Sequence, residues 1–250
     1  MKKITNTRNG YHFNSKYWQD WKARTRGSAP PMIDSKLFQL ILGMVLSDAT
    51  MYRVSHEALV KFEQGGRSPD QKEFLFHLFQ ECKEYCFMTE PGIRKHIHGA
   101  KQGEVKSYWF KTFSHKSRVR ACYLGGRSPI LWYRRQGRGV IKKTIKAPEG
   151  GGTILTHLNV VGLAYWVIGD GSLHREGRVL TLHTQGFSHD ENKMISEELN
   201  LKAFGGFKSK VVKHKNKFVV QFTTSDANKL HDLIKPHLIP TMQYKLPRKL

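Results

Sequence analysis

Two segments of this chain are apolar on nearly every side, and each stops at an aspartate. The first runs through Leu37, Phe38, Leu40, Ile41, Leu42, Met44, Val45 and Leu46 to Asp48. The second runs through Val160, Val161, Leu163, Ala164, Tyr165, Trp166, Val167 and Ile168 to Asp170. A helix without a polar face has to be enclosed by the rest of the protein, so both segments are predicted to be buried helices. Neither approaches the roughly 20 residues that span a bilayer. No membrane partner is expected.

The likeness continues beyond the two helices and reads as two copies of one unit. A strand pattern over Ala58 to Gln64 follows the first helix, and one over Arg178 to Gln185 follows the second. Next come Ser68-Pro69-Asp70-Gln71 and Ser188-His189-Asp190-Glu191, both of the capping-box form that starts a helix. Strand-like stretches resume at Val105 to Phe113 in the first copy, and at Phe207 to Val212 and Phe218 to Thr224 in the second. The expected fold class is α+β, a pseudo-two-fold pair of αββαββα units with curved antiparallel sheets. The expected domains are a basic N-terminal arm at 1–35, a first unit at 36–147, a linker at 148–159 around Pro148-Glu149-Gly150-Gly151-Gly152, and a second unit at 160–250. Within the arm, Tyr11, Phe13, Tyr17, Trp18 and Trp21 interleave with lysines and arginines. A nucleic-acid clamp, a polar tail and an organelle-import segment all fit that composition.

With 42 Lys+Arg against 20 Asp+Glu, the formal net charge is +22. Such an excess repels itself unless a polyanion neutralises it, and nucleic acid is the usual one. Charge alone does not separate DNA from RNA. The three cysteines, Cys82, Cys86 and Cys122, have no CxxC spacing and suggest neither a disulfide framework nor a zinc ribbon. Cys82 and Cys86 stand four apart on a predicted helix, which suits half a metal site or, more simply, two core thiols. No secretion signal opens the chain, so an intracellular location is expected, with mitochondrion or chloroplast compatible.

A carboxylate at the C-terminal end of a helix meets the negative end of the macrodipole, at a cost of about 0.3–1 kcal/mol when exposed. Two matched helices accept that cost here, and a bound cation would offset it. Oxygen ligands favour Mg²⁺, with Mn²⁺ a further choice and Ca²⁺ a non-reactive substitute.

Ile41-Leu42-Gly43-Met44-Val45-Leu46-Ser47-Asp48-Ala49 and Leu163-Ala164-Tyr165-Trp166-Val167-Ile168-Gly169-Asp170-Gly171 resemble the two copies of the motif that names the LAGLIDADG homing endonucleases. The closing Leu233-Ile234-Lys235-Pro236-His237-Leu238-Ile239-Pro240 and Tyr244-Lys245-Leu246-Pro247 resemble the end of single-chain, intron-encoded members, so the resemblance covers about residues 36–250. It implies that the motif helices pack together between the halves, under two sheets that form a DNA-binding saddle. Gly43, Ser47 and Gly169 would allow the close crossing, whereas Tyr165 and Ala49 stand where the motif has glycine. It further implies that Asp48 and Asp170 hold the metal, assisted by backbone carbonyls near Ser47 and Gly169. Each would serve one strand, and cleavage would leave 3′ overhangs. A basic residue near the attacking water is matched by Lys245 and, in the first half, by Lys143, with Lys142 as its substitute; simple phosphate contact is the alternative role for both.

Alternation along the strands offers one side-chain row to the core and one to a groove. On that basis Thr181, His183 and Gln185, then Lys213, Lys215, Gln221 and Thr223, are candidate DNA contacts, with Arg53, Gln64 and Lys111 in the first half. A solvated sheet face is the plainer alternative for each. The expected partner is double-stranded DNA bound by a monomer. An RNA maturase on the same scaffold, acting on its own intron, stays open as the rival reading.

Overall fold

The computed structural model describes residues 23, 33–54, 57–86, 88–113, 134–136, 140–142, 158–174, 176–201 and 205–249. Most of the N-terminal arm, Lys143, Cys122 and the glycine-rich linker lie outside the described residues. The fold is α+β with antiparallel sheets, and the repeated unit is legible in its element order.

Helix α1 (Ser35–Leu46) begins behind Asp34, whose Oδ1 accepts the Leu37 N–H at 2.7 Å. Strands β1 (Thr50–Val54) and β2 (Glu57–Gly65) then pair antiparallel, with Thr50 opposite Lys61 and Arg53 opposite Ala58. Helix α2 (Pro69–Cys82) and strands β3 (Gly92–Lys95) and β4 (Val105–Lys111) follow, in the spatial order β3-β4-β2-β1. Strands β5 (Arg134–Gln136) and β6 (Val140–Lys142) come later, and Tyr52 of β1 pairs with Val140. The core here joins Val60, Phe62 and Phe110 of the sheet to Phe74, Leu75, Leu78 and Phe79 of α2. Cys82 and Cys86 are buried thiols, and the Cys86 thiol donates to the Cys82 carbonyl at 3.2 Å. They are core residues.

The second copy runs α3 (Val160–Asp170), β7 (Gly171–Leu173), β8 (Leu180–Leu182), α4 (His189–Leu199), β9 (Lys210–His214), β10 (Lys217–Gln221) and α5 (Ala227–Ile234). Its strands stand in the order β7-β8-β10-β9. Asn159 caps α3, accepting from the Val161 and Gly162 N–H groups. Short 3₁₀ turns close the chain, the last over Pro240–Lys245.

The molecule divides into two compact units. Ala49–Val119 forms most of the first, whereas Phe38–Asp48 goes with Ile141–Leu250 in the second. Helix α1 thus leaves the copy it begins in sequence, because its apolar surface packs on α3. Among the described residues, no helix is long and apolar enough to cross a membrane.

Candidate functional site

The site is set by how α1 and α3 meet. A Cβ added to Gly43 would stand 2.2 Å from the Gly162 carbonyl oxygen, and one added to Gly169 would stand 2.2 Å from Ser47 Oγ. Both distances are far inside van der Waals contact, so at these points the helices approach too closely for side chains. One turn earlier, Gln39 Oε1 accepts the Asn159 N–H at 2.7 Å. The pairs Gln39 with Asn159, Gly43 with Gly162 and Ser47 with Gly169 advance together along both helices. The helices therefore run parallel, and their C-terminal ends, carrying Asp48 and Asp170, emerge at the same end. Gly43, Ser47 and Gly169 sit on the crossing face, as expected. Gly162 completes it, so Tyr165 need not be glycine; its Cβ lies 3.0 Å from the position a Gly43 Cβ would take.

Asp48 is exposed and Asp170 half-buried. Lys245, at the end of the last 3₁₀ turn, donates from Nζ to the Gly171 carbonyl at 2.6 Å. Burial pushes its ammonium below the ordinary lysine range, while the Asp48 and Asp170 carboxylates act the other way. Both carboxylates are thus within electrostatic reach of one cation anchored at the end of α3. The Ser47 hydroxyl donates back into its own helix, 3.2 Å from the Gly43 and Met44 carbonyl oxygens. The Gly171 carbonyl is likewise engaged. No group of three or more His, Cys, Asp or Glu side chains converges among the described residues. Two carboxylates are a donor set that suits Mg²⁺, which keeps waters and takes further oxygens from substrate phosphates.

Helix α4 packs on β9 and β10 and covers one face of the second sheet, where Leu180, Leu182 and Val220 are buried. The register puts Ser172, Thr181, Lys210, His214 and Gln221 on the other face. Gln221 Nε2 donates to Thr181 Oγ1 at 3.3 Å, and His183 Nε2 lies 2.7 Å from Ser172 Oγ. Gln185 Nε2 lies 3.0 Å from His183 Nδ1, and the His183 and His214 rings meet edge to face. Burial, then His214 and Lys245, pushes the His183 imidazole below its usual pKa. The structure therefore brings Thr181, His183, Gln185 and Gln221 onto one polar face, Thr181 bonded to Gln221 and His183 to Ser172 and Gln185. It leaves Lys213 and Thr223 out. Lys213 pairs with Phe218 on the helix-covered face, and the Thr223 hydroxyl donates to Asp226 Oδ2 at 3.0 Å as the cap of a 3₁₀ turn. Lys215, in the β9–β10 turn, has φ 55°. Ser172, Lys210 and His214 join the face unforeseen; pairing register, which sequence does not give, selects them.

In the first sheet α2 covers the face of Val60, Phe62, Tyr108 and Phe110. Gln64 shares that face and is only 8% exposed, so it packs under α2 rather than facing a groove. Arg53 lies on β1 with its backbone opposite Ala58. The opposite face carries Tyr52, Lys61, Glu63, Ser107, Trp109, Lys111 and Arg94. Lys111 Nζ stands 5.8 Å from both the Tyr52 and Trp109 ring centres, and directly opposite Lys61. Burial, then Lys61 and Arg94, lowers the Lys111 pKa. Like charges opposed across a ladder destabilise the sheet unless an anion lies over them. Glu63 pairs with Lys61 and with Arg94 Nη1, the latter at 2.9 Å, and accepts from Ser107 Oγ at 2.5 Å. Lys61, Glu63 and Arg94 were missed, although the alternation of Lys61 and Glu63 with Val60 and Phe62 was readable in the sequence; Arg94 reaches this face only through the pairing of β3 with β4.

A model of the LAGLIDADG DNA endonuclease family matches residues 38–128 and 131–230. A Mycosarcoma maydis protein named "Probable intron-encoded DNA endonuclease 3" is 75% identical over 150 residues, 59% of this chain and 98% of the relative. "Probable intron-encoded endonuclease 1" of Wickerhamomyces canadensis is 24% identical over 217 residues, 83% of this chain and 82% of the relative. Among solved structures, the homing endonuclease I-WcaI bound to its DNA recognition sequence matches with a TM-score of 0.73 at 23% identity, over 99% of this chain and 100% of that one.

Proposed function

This chain belongs to the LAGLIDADG DNA endonuclease family, and on that premise we propose that it is a sequence-specific endonuclease of double-stranded DNA, hydrolysing one phosphodiester on each strand with a divalent metal. The observation that carries this is the parallel crossing of α1 and α3, which delivers Asp48 and Asp170 to one end beside Lys245. The carboxylates would hold Mg²⁺, with Ser47 and Gly169 contributing at most backbone oxygens. When bound, the ion supplies Lewis acidity, making water a nucleophile and stabilising the leaving 3′ oxygen.

The rest of the work falls to the protein. Lys245, tied to the Gly171 carbonyl, keeps a positive charge beside the scissile phosphate and a donor to orient the incoming water. Lysines and arginines on the open sheet faces neutralise flanking phosphates, and the polar rows between them read base edges. One chain with two motif aspartates would cut both strands as a monomer, leaving 3′ overhangs.

The test is cleavage of a plasmid library with Mg²⁺ by the wild type, Asp48→Asn and Asp170→Asn. Asparagine keeps the shape and removes the charge, so each variant is expected to cut at least about 10²-fold more slowly. Undiminished cutting by both variants would sink the mechanism. A wild type that never cuts, yet promotes splicing of an intron transcript, would replace DNA cleavage with the RNA-maturase reading.

A further inference from the structure

The open face of the first sheet holds a carboxylate where a surface made for a polyanion would be expected to hold none. Glu63 sits amid Lys61, Arg94 and Lys111, and its side chain keeps 27% of its surface exposed. A negative charge there repels phosphate, so an account of it has to come from something other than backbone binding. Of the groups that bases present in the major groove, only the cytosine N4 and adenine N6 amines are donors, and a carboxylate only accepts. Glu63 Oε1 takes both Ser107 and Arg94, while Oε2 takes Lys61. An ionised carboxylate has about four acceptor positions, so one is left for a base.

Arg94 lies next to it on β3, with 49% of its side chain exposed and Nη1 fixed on Glu63. A guanidinium held at one nitrogen loses less freedom on engaging a base with the others, and its fork matches guanine O6 and N7. The register with β4 shifts between Arg94 and Lys95, which leaves Lys106 without an opposite residue. Irregularities of this kind turn a strand and re-aim the side chain beside them.

We infer that Arg94 and Glu63 together read one G·C base pair of the target, Arg94 donating to the guanine edge and Glu63 accepting from the cytosine amine. This rests on the DNA reading above and adds a residue-level specificity to it. Ser107 and Lys61 act as positioning residues, holding the carboxylate upright on the strand.

The experiment is selection of cleavable targets from a randomised DNA library by the full chain, comparing wild type, Arg94→Lys and Glu63→Gln, with binding measured at several salt concentrations. Arg94→Lys keeps the charge but not the fork, so a mere phosphate contact survives it. The expected result is a G·C preference at one position that both variants relax about tenfold, with the other positions and the salt dependence unchanged. Thermal melts check that the variants fold; Arg94 is exposed on an edge strand, so Arg94→Lys decides the matter alone if Glu63→Gln does not fold. Target preferences identical to wild type, or a uniform loss across all positions, would overturn the inference. A wild type that enriches no consensus at all would overturn the DNA reading itself, and so is told apart from failure of this pair.

Discussion

Helices α2 and α4 hold the same place in the two copies of the repeat, and they are fastened to their sheets by different chemistry. Helix α2 is attached by aromatic packing: Phe79 meets Phe110 edge to face at 5.4 Å, and Phe110 stacks on Phe62 at 4.7 Å. Helix α4 adds a polar clamp to Ile195 and Leu199. Asn192, fully buried, donates to the Ser188 carbonyl at 2.8 Å and accepts from Thr184 Oγ1 at 2.5 Å. Asn200 bonds the backbone of Ser209 in both directions, at 2.8 and 2.9 Å. Apolar contacts are non-directional and tolerate small rotations, whereas a buried amide with fixed partners accepts one placement. The second helix is therefore held in a single register on its sheet, across the sheet from the polar face that carries His183.

The contrast can be broken by truncating one anchor of each kind. Phe79→Ala should cost about 3–5 kcal/mol, through lost burial and a cavity. Asn192→Ala should cost about 1–3 kcal/mol, through the partners it strands. Urea titration of the purified chain measures both, and a loss at Asn192 equal to that at Phe79 would mean that the clamp, not packing, dominates.

A smaller difference lies at the helix starts. Ser188 and Glu191 complete a capping box, with Ser188 Oγ accepting from Glu191 N at 3.2 Å and Glu191 Oε2 from Ser188 N at 2.6 Å, whereas Ser68 makes no side-chain cap. Ser188→Ala is expected to destabilise by about 1 kcal/mol and Ser68→Ala by under about 0.5 kcal/mol. Equal losses in thermal melts would show that both boxes form in solution.

The smallest effect is on pH. Burial, more than Lys36 and against Glu81, pushes the His77 imidazole of α2 below its usual pKa. The unfolded chain then takes up the proton first as pH falls below about 6.5. Stability from neutral His77 is full above that value and declines as pH drops toward the folded pKa. His77→Gln should flatten this decline between pH 7.5 and 5.5 in denaturant melts; an unchanged slope would assign it to other groups. The polar clamp of α4, built from amides and hydroxyls, adds nothing to it.

Both motif helices and their terminal aspartates were legible from composition and spacing, because a run apolar on every side marks an enclosed helix, and the crossing residues Gly43, Ser47 and Gly169 became legible through the family resemblance. Gly162 was not, since a helix apolar all round gives no sign of which glycine its neighbour approaches. The first capping box was expected and is absent. Pro69 occupies the first helical position, and the Gln71 side chain lies against Gly65, with Oε1 2.7 Å from where a Cβ would be, instead of turning back to Ser68. Strand faces were legible only where apolar residues alternate. Val60 and Phe62 already place Gln64 in the core, while the run Lys210-Val211-Val212-Lys213 gives no phase, and Lys213 went to the wrong row.

The bond that Gln39 accepts from the Asn159 backbone joins residues 120 apart, and α1 meets α3 there. During synthesis at about 5–20 residues per second, roughly 6–24 s separate the emergence of the two ends of that bond. Throughout that interval an apolar helix leaves the ribosome with its partner not yet made. The chain is thus most exposed to aggregation early in translation, and slowing elongation before residue 159 prolongs that hazard.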